Sequence, residues 1–97
     1  MIDRKTAERM VHELINGGHT SNSDERIIID DATIEKPYGW VFFYNSRRFL
    51  ETEDFSYYLV GQGPVIVEKV DGSIHEFGSA QHPDVYIAEY EAGRSAG

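Results

Sequence analysis

The run Tyr38-Gly39-Trp40-Val41-Phe42-Phe43-Tyr44-Asn45 constrains the fold more than any other stretch of this chain. Read as a strand, it places Trp40, Phe42 and Tyr44 on one face and Val41 and Phe43 on the other, because successive side chains point to opposite sides. A strand that is apolar on both faces belongs in the middle of a sheet, with cover on at least part of each side. The remaining elements therefore have to supply neighbours for its edges and layers for its faces.

The cover comes first in the chain. Ala7, Met10, Val11, Leu14 and Ile15 follow i, i+3, i+4, i+7, i+8 spacing, the stripe of an amphipathic helix over Asp3 to Asn16. Asp3 is suited to cap its start, and Gly17 to take the left-handed position that ends it. His12 falls beside the stripe as a boundary residue. Gly17 to Glu25 is loop by composition and too short for an interdomain linker.

The neighbours follow. Arg26-Ile27-Ile28-Ile29-Asp30 is a short β-branched strand. Val65 to Lys69 and Ser73 to Phe77 flank Val70-Asp71-Gly72, and Asp-Gly between two strand-like runs signals a hairpin. Connections this short make the neighbours antiparallel, in a meander of about four strands. Pro83 opens a short closing helix with Tyr86, Ile87 and Tyr90 on one stripe, and residues 93–97 are expected to fray. The reading is a single α+β domain over residues 1–97, built in two layers: an N-terminal helix packed on the sheet and a short C-terminal helix.

Composition removes whole classes of function. Nine Lys and Arg face seventeen Asp and Glu, a net charge of −8, and nucleic-acid binding needs the opposite sign. No stretch approaches the length of a membrane span. The first residues carry neither an apolar core nor a small-residue cleavage site, so a cytoplasmic address is expected. The chain has no cysteine, which excludes disulfides, thiolate metal sites and cysteine nucleophiles. The acidic excess serves solubility and can also steer the chain toward a basic protein.

Catalytic patterns are missing. His12, His19, His75 and His82 show no metal-binding spacing. Asp30-Asp31 on a strand would point to opposite faces, and Glu51-Thr52-Glu53-Asp54 fits no calcium loop. Gly61-Gln62-Gly63-Pro64 precedes a strand instead of opening a helix, so it reads as a turn, with Gly63 at positive φ. The serines lack a nucleophile elbow. No catalytic residue, metal or cofactor is assigned.

Several segments resemble, in order, the immunity protein 35 family, also called the YrhB-like proteins. They are Gly39-Trp40 through Phe49-Leu50-Glu51-Thr52, then Val60-Gly61-Gln62-Gly63-Pro64-Val65-Ile66-Val67, Asp71-Gly72-Ser73-Ile74-His75, and Gly78 followed by Pro83 to Tyr90. The similarity covers about residues 26–91. It implies a small bacterial α+β protein without enzymatic activity, binding and neutralising a cognate toxin of a polymorphic toxin system by direct contact. A chaperone-like role, in which exposed apolar surface holds unfolded clients, is the alternative it carries.

A tight inhibitor needs a dry anchor inside a charged rim. Phe55, Tyr57 and Tyr58 lie in the long stretch between strands beside Glu51, Glu53 and Asp54, and these six are the candidate partner-binding residues. Trp40 shares a face with Phe42 and Tyr44 and is assigned to the core. The expected partner is a protein toxin, which the acidic excess would steer if that toxin is basic, met by a monomer or homodimer without nucleic acid or membrane.

Overall fold

A computed structural model describes residues 1–17, 25–59 and 62–96. Helix α1 spans Arg4–Asn16, and its ends are closed by the two residues suited to it. The Asp3 carboxylate accepts from the Thr6 amide at 2.8 Å, and Gly17, at φ 65°, donates to the carbonyls of Glu13 and Leu14. The sheet strands are β1 (Arg26–Ile28), β2 (Ile34–Lys36), β3 (Gly39–Phe42), β4 (Tyr44–Ser46), β5 (Val65–Glu68) and β6 (Ile74–Glu76). All pairings are antiparallel. Strands β2-β3-β5-β6 form a four-stranded meander, and β1-β4 a two-stranded ribbon.

The expected long strand is thus interrupted at Phe43, and the expected first strand joins the ribbon and not the meander. The pairings explain both. Arg26 lies opposite Ser46 and Ile34 opposite Val41, so the register slips by three residues between them, the length of the 3₁₀ turn Asp30–Ala32. Residues 26–36 and 39–46 form one long hairpin with a three-residue excursion in its first arm. Strand β2, which carries no apolar alternation, was not foreseen; it forms because Pro37-Tyr38 turns the chain back. On the other side of β3, pairing with β5 reaches Phe42 opposite Val65. The next residue of that strand is Pro64, which has no amide hydrogen to extend a ladder.

Side-chain alternation survives the interruption. Trp40, Phe42, Val65 and Val67 pack with Ala7, Val11 and Ile15 of α1, with Tyr44 and Ile74 against their edge. Val41 and Ile66 face the other way and meet Ile87 of α3 (Pro83–Ala96), with Tyr38, Phe43, Phe77 and Tyr90 around them. The helices therefore lie on opposite faces, and the domain has three layers where two were expected. Both faces of β3 are apolar, and each helix covers one of them.

Gly63 does not take positive φ. Among the described residues only Gly17, Gly72 and Glu53 do. Gly63 is required for a different reason: a Cβ there would lie 1.9 Å from the Gly78 carbonyl oxygen.

Helix α3 buries Ile87, and Tyr86 and Tyr90 in part, and polar contacts complete its attachment. Arg94 grips Glu68 of β5 with Nε at 2.6 Å and Nη2 at 2.8 Å, while the Tyr90 hydroxyl donates to the same carboxylate. Glu91 accepts from the Tyr38 hydroxyl at 2.8 Å and pairs with Lys36 at 3.0 Å. The Arg94 guanidinium also lies 4.4 Å from the centre of the Tyr38 ring. The sequence reading assigned Arg94 to the tail after the helix; it sits in the last turn of α3.

Arg94 holds the Glu68 carboxyl below its usual value, and Lys36 does the same for Glu91. Burial pushes the Tyr90 hydroxyl up to about 12. A lowered carboxyl pKa stabilises the fold above the ordinary glutamate value of 4.5, and the contribution disappears as pH falls through the folded value. Glu68→Gln should accordingly lower the melting temperature near neutrality, and the gap from wild type should close as the pH drops below 4.5. A gap independent of pH in thermal melts would show that the ion pair does not hold α3. Trp40→Ala should cost about 3–5 kcal/mol in urea unfolding, as expected for a large side chain removed from a packed core.

Candidate functional site

Two buried polar residues at the end of β4 organise the stretch that follows. Asn45 and Ser46 are 4% and 7% exposed. The Ser46 hydroxyl accepts from the Phe49 amide at 3.0 Å, capping α2 (Arg47–Thr52), and donates to the Tyr57 carbonyl at 2.6 Å. Asn45 Oδ1 accepts from the amides of Ser46 and Leu59 at 2.8 and 3.0 Å. One hydroxyl and one amide oxygen thus tie both ends of the 47–58 excursion to the same corner of the ribbon. Buried polar atoms bonded in this way fix a backbone path, because releasing one of these bonds leaves an unpaired group away from water.

Within the excursion, α2 ends at Glu53, whose amide donates to the Phe49 carbonyl at 2.7 Å and whose φ is 57°. This is the left-handed region, and a residue with a Cβ is strained there. The next residue, Asp54, starts a 3₁₀ turn over Phe55–Tyr57: its Oδ1 accepts from the Ser56 amide at 2.9 Å and the Ser56 hydroxyl at 2.5 Å. Those bonds hold the Asp54 carboxyl below its usual value.

The result is a surface of rings. Phe49, Phe55 and Tyr58 form a mutual cluster with centres 4.9–5.9 Å apart. Phe55 is nevertheless 77% exposed and Tyr58 45%. Large aromatic groups at that exposure are not part of the core, and a contiguous apolar patch with a polar rim is the usual mark of an interaction surface. The cations of the excursion are occupied. Arg47 pairs with Glu25 at 2.7 Å and Glu51 at 3.5 Å, and Glu25 also meets His12 at 3.2 Å. Arg48 lies 5.2 Å from the centre of the Tyr57 ring.

All six candidate residues are exposed on this one excursion, and they divide into four groups. Phe55 and Tyr58 share the ring cluster, Tyr57 turns to Arg48, and Glu51 is tied to Arg47. Glu53 and Asp54 have no ion-pair partner among the described residues. Phe49, which joins the cluster, and Asn45 and Ser46, which support it, were absent from the sequence-based set. The signal that could have found Ser46 was its place three residues before Phe49 at the opening of a helix.

The other motifs lead elsewhere. Asp30 and Asp31 lie in an exposed 3₁₀ turn and not on the strand expected for them. Among the described residues no three His, Asp or Glu side chains converge as a metal site would require. His75 packs on Tyr90 and contacts Ser73; His82 is exposed beside Asp84. His19, Val60 and Gly61 lie outside the described residues. No helix among the described residues is long and apolar enough to cross a membrane.

Comparison with known proteins agrees with this frame. The sequence model of immunity protein 35 matches residues 5–93, taking in α1 as well as the sheet and α3. The chain belongs to the immunity protein 35 family. It is also 42% identical over 53 residues to the uncharacterized protein YrhB of Escherichia coli (strain K12), an alignment covering 55% of this chain and 56% of that relative. The chain thus spans about half the length of that relative. No solved structure matches. Membership of immunity protein 35 suggests an immunity function.

Glu53→Gly should raise stability by about 1 kcal/mol in urea titration, since glycine takes left-handed backbone without a Cβ penalty. An unchanged midpoint would mean that the turn after α2 carries no strain.

Proposed function

We propose that this chain is a non-enzymatic immunity protein that neutralises a cognate bacterial toxin by direct contact, with residues 47–58 as the contact surface. The observation that carries the proposal is the exposed ring cluster of Phe49, Phe55 and Tyr58, held in place from beneath by Asn45 and Ser46. Aromatic anchors supply much of the binding energy in protein interfaces. An anchor already ordered in the free protein avoids the entropy of ordering it on binding.

Charge supplies the approach. A domain at −8 is drawn to a basic toxin, and carboxylates beside the anchor add to the encounter rate more than to final affinity. Inhibition then follows by occupation: a domain seated over the groove of an enzyme excludes its substrate without any chemistry of its own. The setting for this is the cytoplasm of the cell that makes the toxin. Neither comparison supports the chaperone-like alternative.

The deciding experiment takes the product of the gene neighbouring this one in its native genome as the candidate toxin. Coexpression should restore growth, and the purified pair should bind with saturable stoichiometry. Replacing Phe55 and Tyr58 together with alanine should weaken binding by about 2–4 kcal/mol while the circular dichroism spectrum stays that of the wild type. Equal affinity in the double variant would remove this surface from the interface. Reversing Glu51, Glu53 and Asp54 to lysine should slow association at low salt and leave the melting temperature near its original value. An unchanged association rate would show that these carboxylates do not steer the encounter.

A further inference from the structure

We infer that the group seated on this surface is a guanidinium: an arginine of a basic partner segment, flat on the open face of Phe55 and paired with the carboxylates of Glu53 and Asp54. The inference rests on the reading of residues 47–58 as the contact surface and adds the chemistry of what binds there.

Three features of the excursion lead to a cation. The Phe55 ring is braced by Phe49 and Tyr58, with centres 5.4 and 5.9 Å away, and is still 77% exposed. It is an ordered aromatic group with π surface left open. Next to it in the chain are two exposed carboxylates with no cation within ion-pair distance among the described residues. Asp54 directs Oδ1 to both donors of Ser56, and no hydrogen bond from a described residue reaches Oδ2. Finally, the two arginines of the excursion are already engaged, Arg47 with Glu25 and Glu51 and Arg48 over Tyr57. The local charge deficit is therefore not met from within.

An apolar side chain would fit the rings but strip water from the carboxylates and return nothing, which is costly for an ionised group. A cation meets both demands, because the ring face is negative in its quadrupole and the carboxylates accept charged hydrogen bonds. Arginine fits better than lysine: its planar fork stacks on a ring and pairs with carboxylates at the same time. The chain places Arg48 over the Tyr57 ring internally, and Arg94 makes the full contact, lying over Tyr38 while it pairs with Glu68.

The test is a nuclear magnetic resonance titration of the full ¹⁵N-labelled chain with three short capped peptides, alike except that each carries two arginines, two lysines or two leucines. The arginine peptide should give saturable amide shifts confined to residues 49–58, with affinity about tenfold above that of the leucine peptide. Phe55→Leu should remove about that same factor while the α1 and β5 resonances stay in place. Leucine or lysine binding as tightly as arginine would overturn the inference. So would an absence of saturation with every peptide, or arginine-peptide shifts spread equally over Asp30, Asp31 and Glu89. Rescue of growth against the toxin is read separately. Rescue without arginine preference rejects the guanidinium and leaves the immunity reading standing, whereas arginine preference without rescue does the reverse.

Discussion

Trp40 and Phe42 point to α1 while Val41, between them, points to α3, so β3 is buried only when both helices are in place. Neither helix is therefore an accessory to a sheet that could stand without it. The two sides are attached by different means. Helix α1 closes its side with small and branched apolar residues that allow close approach. Helix α3 places one buried isoleucine on the sheet and takes the rest of its hold from tyrosines and from carboxylates matched to Arg94 and Lys36. Dispersion and water exclusion hold one face, and a paired charge network helps to hold the other.

Most of this frame is legible in the residues because it rests on short-range rules. The cap at Asp3, the left-handed stop at Gly17, the α1 stripe, the Asp71-Gly72 hairpin and the alternation around Trp40 are all decided by neighbours within a few positions. What escapes are features set by distant parts of the chain. Strand β2 has no periodicity of its own and exists because β3 offers it an edge. The break at Phe43 reflects where two partners begin and end, one limited by Pro64 and the other displaced by the Asp30–Ala32 turn. Gly63 does not take the positive φ expected of it, and glycine is required there for another reason. The requirement comes from the Gly78 backbone across a contact that sequence does not announce.

The surface at 47–58 divides in the same way. Its exposed members, Phe55, Tyr57, Tyr58 and the acidic residues, stand out in the sequence because aromatic and charged groups occur together on a connection. Their supports do not. Asn45 closes the expected strand and Ser46 follows it, and their importance lies in being buried and bonded to the backbone of Tyr57 and Leu59, which returns to meet them. Phe49 reads as one more residue of the connection until Phe55 and Tyr58 fold onto it.

Asn45 and Ser46 hold the excursion through backbone amides and a backbone carbonyl, groups that every residue but proline presents alike. The identity of the side chains between the two anchors is thereby uncoupled from the frame that carries them. For the immunity role proposed above, this arrangement would work as an exchangeable tip on a permanent handle.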